Sequence, residues 1–236
     1  MNHDPAPITP ASFDVRILRR KILLRLPWLP VVLALMLFLP AGTLLYWQGW
    51  VYIALLFIPM LLVLAYFLKH DPEVLERRLK SREKVKEQKL IIKLFTVVYI
   101  AAFLLPGFDR RFGWSSVPTA LIIVAEPTAL GGYFLFFLAL RENRYASRIV
   151  EVADAQKVIT TGPYALVRHP MYLGFTLLFL ATPLALGSFW AMIPFAMVVL
   201  VLIPRILSEE KVLTAELEGY QEYKERVKYR LIPGIW

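Results

Sequence analysis

The apolar residues of this chain come in blocks, and each block is close to the length of a bilayer crossing. Residues 28–46, 49–68, 90–107, 117–140, 171–187 and 188–206 are nearly free of charge. A spanning helix needs about 20 mostly apolar residues. A soluble core has no place for so many uninterrupted runs, and 58% hydrophobic against 19% charged residues agrees with that. The sequence therefore predicts an all-α, polytopic integral membrane bundle of about six transmembrane helices. The last two runs are short and share a turn near Gly187-Ser188. Pro183, Pro194 and Pro204 would kink them, so they read as a helical hairpin.

Basic residues test this topology independently, because Lys and Arg are retained on the cytoplasmic side during insertion. Of the 27, five precede residue 27, nine lie in 69–93, five in 141–168 and six from Arg205 onward; Arg110 and Arg111 are the exceptions. That distribution puts both termini inside and requires an even number of spans, which six satisfies. The net charge of +9 sits at membrane exits and forms no single basic face with interleaved aromatics. Contact with anionic headgroups explains it better than nucleic acid. The first apolar run is long and lacks a small-residue cleavage site after it, so it reads as a retained anchor. The absence of cysteine excludes disulfides and thiolate metal sites.

Three divisions follow: a basic cytoplasmic segment at 1–27, four transmembrane helices at 28–140, and a catalytic region at 141–236. Between helices 2 and 3 the connector 69–89 contains DPEVLERRLKSREKVKEQK, which reads as a charged helix entered through Asp71-Pro72, a solvated and lipid-facing connector. The stretch 141–170 is polar, lacks helical periodicity and ends in the turn signal Thr160-Thr161-Gly162-Pro163; ordered loops of this length tend to be functional. Leu213, Leu217, Tyr220, Tyr223 and Val227 recur at steps of three and four, as in an amphipathic helix, and Gly219 is expected to break it.

Three dispersed histidines, His3, His70 and His169, assemble no zinc-hydrolase triad or di-iron set. The glycines form no GxGxxG or Walker loop, and no GxSxG elbow is present. Any cofactor is therefore held outside a Rossmann frame. The densest chemistry lies in TTGPYALVRHPMYLG, residues 160–174. Gly162-Pro163 turns the loop and Tyr164 supplies an aromatic wall. Arg168 and His169 offer donors just before Pro170, which suits the first turn of a helix. The positive end of that helix and the guanidinium would then face one place, which favours a carboxylate. Tyr172 adds a second ring, and Gly174 marks a point where a ligand or a neighbouring helix comes close. Arg168 and Arg205 also suit helix-end anchors.

Gly-Pro-Tyr at 162–164, Arg-His-Pro-x-Tyr-x-Gly at 168–174, a helical hairpin, Glu209-Glu210 and Tyr-x-x-Tyr-x-x-Arg-Val at 220–227 form a combined pattern. It resembles the isoprenylcysteine carboxyl methyltransferase family of integral membrane methyltransferases, to which the phospholipid N-methyltransferases are related. The similarity covers about residues 155–233. The resemblance implies S-adenosyl-L-methionine bound at the cytoplasmic edge of the final hairpin, with a lipophilic acceptor arriving from the bilayer. Carried onto this chain, the cofactor site comprises Gly162, Tyr164, Val167, Arg168, His169, Pro170, Tyr172, Glu209 and Glu210. Arg168 and Arg226 become the catalytic candidates that hold the acceptor group. Glu210 and Arg226 lie too far apart on an unbroken helix to share one methyl group, so the tail is expected to fold back near Gly219.

Glu126, followed by Pro127 inside the fourth run, is an ionisable group at membrane depth and is assigned to substrate binding; a structural, hydrogen-bonded carboxyl is the other reading. Two other functions stay open. Membrane NADPH-dependent sterol or lipid reductases resemble this chain in an Arg-His-Pro-x-Tyr-like motif and in an ending like VKYRLIPGIW, and a non-catalytic lipid-binding scaffold would retain the fold.

Overall fold

The computed structural model describes residues 15–79, 86–145 and 156–236. The first 14 residues of the basic N-terminal segment, residues 80–85 of the charged connector and residues 146–155 of the long loop lie outside them. Every regular element among the described residues is a helix, with no strand. The helices are α1 (Val15–Arg25), α2 (Trp28–Ala41), α3 (Trp47–His70), α4 (Pro72–Leu79), α5 (Lys86–Phe112), α6 (Thr119–Glu142), α7 (Pro170–Ala185), α8 (Met192–Glu216) and α9 (Tyr220–Arg226).

Local chemistry sets the boundaries. Proline opens α4 and α7, where a missing N–H costs nothing. Gly42 closes α2 in the left-handed region at φ 65°, its N–H bonding Phe38 O and Leu39 O at 3.0 and 3.2 Å. The final hairpin turns through Gly187 at φ 69°, and α8 starts at Met192, four residues later than the hydropathy run suggests.

A side chain has no room where α6 crosses α7. A Cβ on Gly132 would sit 2.6 Å from Gly174 O, and one on Gly174 would sit 2.6 Å from Gly132 O. Two backbones in that contact are the small-residue packing typical of membrane helices, where close approach replaces hydrophobic drive. Gly174 thus serves a neighbouring helix. Gly107 of α5 packs likewise onto Leu37 and Pro40 of α2. Between these crossings lies one apolar core containing Leu37, Tyr52, Phe103, Ala129, Phe179 and Phe195.

Outward, large apolar residues such as Leu29, Leu35, Leu39, Leu62, Ile123 and Leu200 are exposed. In water this surface would far exceed the few hundred Å² that a soluble monomer shows. Among the described residues, four helical stretches are long and apolar enough to cross a membrane: Val15–Ala41, which joins α1 to α2, Trp47–His70, Thr119–Glu142 and Met192–Glu216. The protein is an integral membrane protein of helical class.

The connector departs from expectation. In α4, Val74 is 1% exposed and packs with Phe67 of α3 and Leu140 of α6. This part of the connector is docked on the bundle, because its apolar residues meet those two helix ends.

Candidate active site

The tail folds back at Gly219, as its position predicts. The α8 helix ends at Glu216, Gly219 takes φ 80°, and α9 runs only to Arg226. Leu217, Tyr220, Tyr223 and Val227 are buried together beside Val158 and Leu213, so the apolar stripe is real but bent. Beyond α9 the chain is extended and lies along the entrance to α7. Arg168 N–H bonds Tyr229 O and His169 N–H bonds Arg230 O, both at 2.9 Å.

This return course brings a cationic cluster onto one carboxylate. Glu210, 5% exposed, accepts from Arg168 Nε at 2.6 Å and from Arg230 Nε at 2.9 Å, and its Oε1 lies 3.2 Å from His169 Nε2. Arg168, also buried, donates through Nη1 to Val227 O and Lys228 O, each at 2.8 Å. A buried carboxylate is tolerable only with such partners. The network ties the start of α7 to the end of α8 and to the tail.

Glu209 faces the other way. Its side chain is 28% exposed, it accepts from Tyr172 Oη at 2.7 Å, and its Oε1 is 4.0 Å from His169 Nδ1. Tyr172 Oη in turn accepts from Arg205 Nε at 3.0 Å. Arg205 therefore points into this corner, where a helix-end anchor would reach for the interface. Tyr164 is buried, with Asn143 Nδ2 donating to its hydroxyl at 3.3 Å and Tyr223 Oη donating to its carbonyl at 2.8 Å. Burial, above all, pushes the Tyr164 hydroxyl up to about 12 and keeps it neutral. Val167 and Pro170 are buried parts of the frame. Gly162, at φ 56°, starts a single 3-10 turn (Gly162–Ala165) and lies against Glu142, which accepts a hydrogen bond from Thr161 Oγ1.

Two expected residues stand elsewhere. Arg226 is exposed at the end of α9. The chain straightens at Val227 and delivers Arg230 to Glu210. Glu126 lies about 24 Å from Glu142 along α6 at ~1.5 Å per residue, and Glu142 is the end beside the 162–165 turn. Its two carboxyl oxygens are buried without a hydrogen-bond partner among the described residues.

Tyr220 and Arg78 join the site without having been singled out for it. Tyr220 Oη is buried with no partner among the described residues, and Glu210, Glu209 and Arg168 all act on its ionisation. Burial, as the largest cause, and the two carboxylates push that hydroxyl upward, so it remains a donor. Arg78 of α4 lies over Phe136 at 5.3 Å, with Tyr172, Tyr164, Glu209 and Arg205 close enough to act on its charge. Burial lowers its affinity for the proton, while the tyrosines and Glu209 oppose that loss. Tyr220 was legible as one residue of an apolar stripe and of the 220–227 motif without a site role, and Arg78 only as one of many charges. Among the described residues, no group of three or more His, Asp or Glu side chains is placed to hold a metal ion.

The fold of packed membrane helices has a counterpart in a membrane methyltransferase. Residues 121–220 match the family model described as phospholipid methyltransferase, a region running from α6 to the first residue of α9. Among solved structures, the chain is similar to that of the eukaryotic intramembrane Ras methyltransferase, isoprenylcysteine carboxyl methyltransferase. The TM-score is 0.51 and the identity 15%, over 94% of this chain and 88% of that one. No curated protein matches. The family match and the shared fold bear out the resemblance to the isoprenylcysteine carboxyl and phospholipid methyltransferases.

Proposed function

We propose that the chain is an S-adenosylmethionine-dependent methyltransferase that modifies a lipophilic acceptor, a carboxylate, amine or thiol, at the cytoplasmic face of a membrane. In this reading six spans, α2, α3, α5, α6, α7 and α8, leave both termini inside, supported by the clustering of basic residues at one set of helix ends.

One observation carries the proposal. Beside the Glu210 cluster the orphaned Tyr220 Oη lies among charged groups, and the half-open Glu209 carboxylate stands nearby. Buried polar groups are normally paired, and an orphan beside charged groups marks a ligand's place. The donor set fits a sulfonium zwitterion. Glu209 suits an ammonium, Arg78 and Arg205 suit a carboxylate, and the rings of Tyr164 and Tyr172 suit a purine face. When bound, that group supplies an activated methyl for direct displacement.

The chain contributes alignment and desolvation, which such a transfer needs more than acid-base chemistry. Arg168 and Glu210, each held by several protein partners, act as positioning residues that hold the α7 entrance against the tail. Arg230 joins them through Glu210.

Titration calorimetry on purified protein in neutral detergent tests this. Saturable binding of S-adenosylhomocysteine with no response to NADPH is expected. The reverse response would favour a reductase and overturn the proposal. Incubation with methyl-labelled donor and total membrane lipid is then expected to label a lipid-extractable product.

A further inference from the structure

Residues of α1, the start of α2, α3, α4 and α6 enclose a half-open groove of about 240 Å³. Its wall is almost wholly apolar, formed by residues such as Leu29, Met60, Leu64, Tyr133 and Leu140, and it carries two cations, Arg25 and Arg78. The residues from α3 and α6 come from the halves that end at His70 and Glu142, so the groove opens at the same end of the bundle as the candidate active site.

The neighbouring helix says what chemistry meets this groove. Over eleven residues, VRILRRKILLR, α1 has five cations and no acid. Leu18 and Ile22 are buried against the protein, whereas Ile17, Leu23 and Leu24 remain exposed. A basic helix with uncovered leucines belongs at the level of the lipid headgroups. A packing defect in a core would be closed by apolar side chains; here two arginines are among the residues that line the slot. Basic pockets between membrane helices on the charged face are seats for anionic headgroups.

We propose that the groove seats one anionic glycerophospholipid of the surrounding leaflet, with an acyl chain along α3 and α6 and its phosphate held by Arg25 and Arg78. A phosphodiester is favoured over a fatty acid because it stays ionised at the interface, where Arg19, Arg20 and Lys21 add to the same field. The seat does not depend on the methyl-donor reading, although Arg78 is shared between the groove and the tyrosine corner.

The test uses the full chain in neutral detergent with phosphatidylglycerol, phosphatidylcholine or oleate, bound lipid being counted by native mass spectrometry. One retained phosphatidylglycerol is expected, preferred over phosphatidylcholine by about 25-fold, at roughly fivefold per basic residue. Arg25→Gln is expected to cut the preference about fivefold, and Arg25→Gln with Arg78→Gln to bring it near parity. Met60→Trp, which fills the slot and leaves both charges, is expected to reduce retention of both phospholipids. Equal retention of the two phospholipids by the natural chain, an unchanged preference in Arg25→Gln, or displacement of phosphatidylglycerol by equimolar oleate would each overturn the proposal. Arg25→Gln decides alone if the double variant fails to fold.

Discussion

Both ends of this helical bundle are held by a buried carboxylate, and the two are built differently. At one end Asp109, 1% exposed, accepts from Ser115 N–H at 2.8 Å and from the hydroxyls of Ser115 and Ser188. Those serines in turn accept from the N–H groups of Phe189 and Ala191, both at 3.1 Å. Every partner is neutral and the knot closes on itself, which suits a latch holding the end of α5 to the α7–α8 turn. At the other end Glu210 is held by two arginines and a histidine, and the polar groups beside it, Tyr220 Oη and Glu209, are left short of partners. The difference is what the proposed function needs: the Asp109 cluster closes on its own serines and fixes geometry, while the Glu210 cluster has an unpaired hydroxyl and a half-open carboxylate beside it.

Substitutions at the two ends sharpen this contrast. The largest effect is expected from Glu210→Gln, which leaves buried arginine charge uncompensated and should lower stability by about 3–5 kcal/mol, read from thermal unfolding in detergent. Glu209→Gln should leave the melting temperature nearly unchanged and weaken S-adenosylhomocysteine by ~30–100-fold in calorimetry, the scale of a lost charge-assisted hydrogen bond. Asp109→Asn should do the opposite, costing about 1–3 kcal/mol of stability with donor affinity intact. Tyr220→Phe removes an orphaned hydroxyl, so the empty protein should be no less stable while affinity falls ~tenfold. Arg226→Ala, at an exposed position, should change stability by less than about 0.5 kcal/mol. If Asp109→Asn weakened the ligand as much as Glu209→Gln, the contrast between the two ends would fail.

Much of the frame was legible before any coordinates. Bilayer-length apolar runs predict the helices, Pro170 predicts where α7 begins, and Gly219 predicts the reversal, because each of these is a local backbone or hydropathy constraint. The membrane methyltransferase resemblance came from the 160–174 motif read together with Glu209-Glu210. What the sequence hid was pairing at a distance. Arg168 meets Glu210 across 42 residues, and no spacing rule specifies that contact. The resemblance placed Arg226 in the site, whereas the chain straightens at Val227 and it is Arg230 that reaches Glu210. Arg78 was concealed by its neighbours, since a helix dense in charge reads as solvated and the packing of Val74 shows only in three dimensions. Glu126, conspicuous in sequence, is remote from the corner where the other candidates meet.

The most direct measurement is S-adenosylhomocysteine affinity for the natural chain, Glu209→Gln and Asp109→Asn, each checked for folding by its melting temperature. Saturable binding that is lost in Glu209→Gln and retained in Asp109→Asn is the expected result. No binding to the natural chain, or equal binding to Glu209→Gln, would contradict a methyl-donor site at the Glu209–Tyr220 corner.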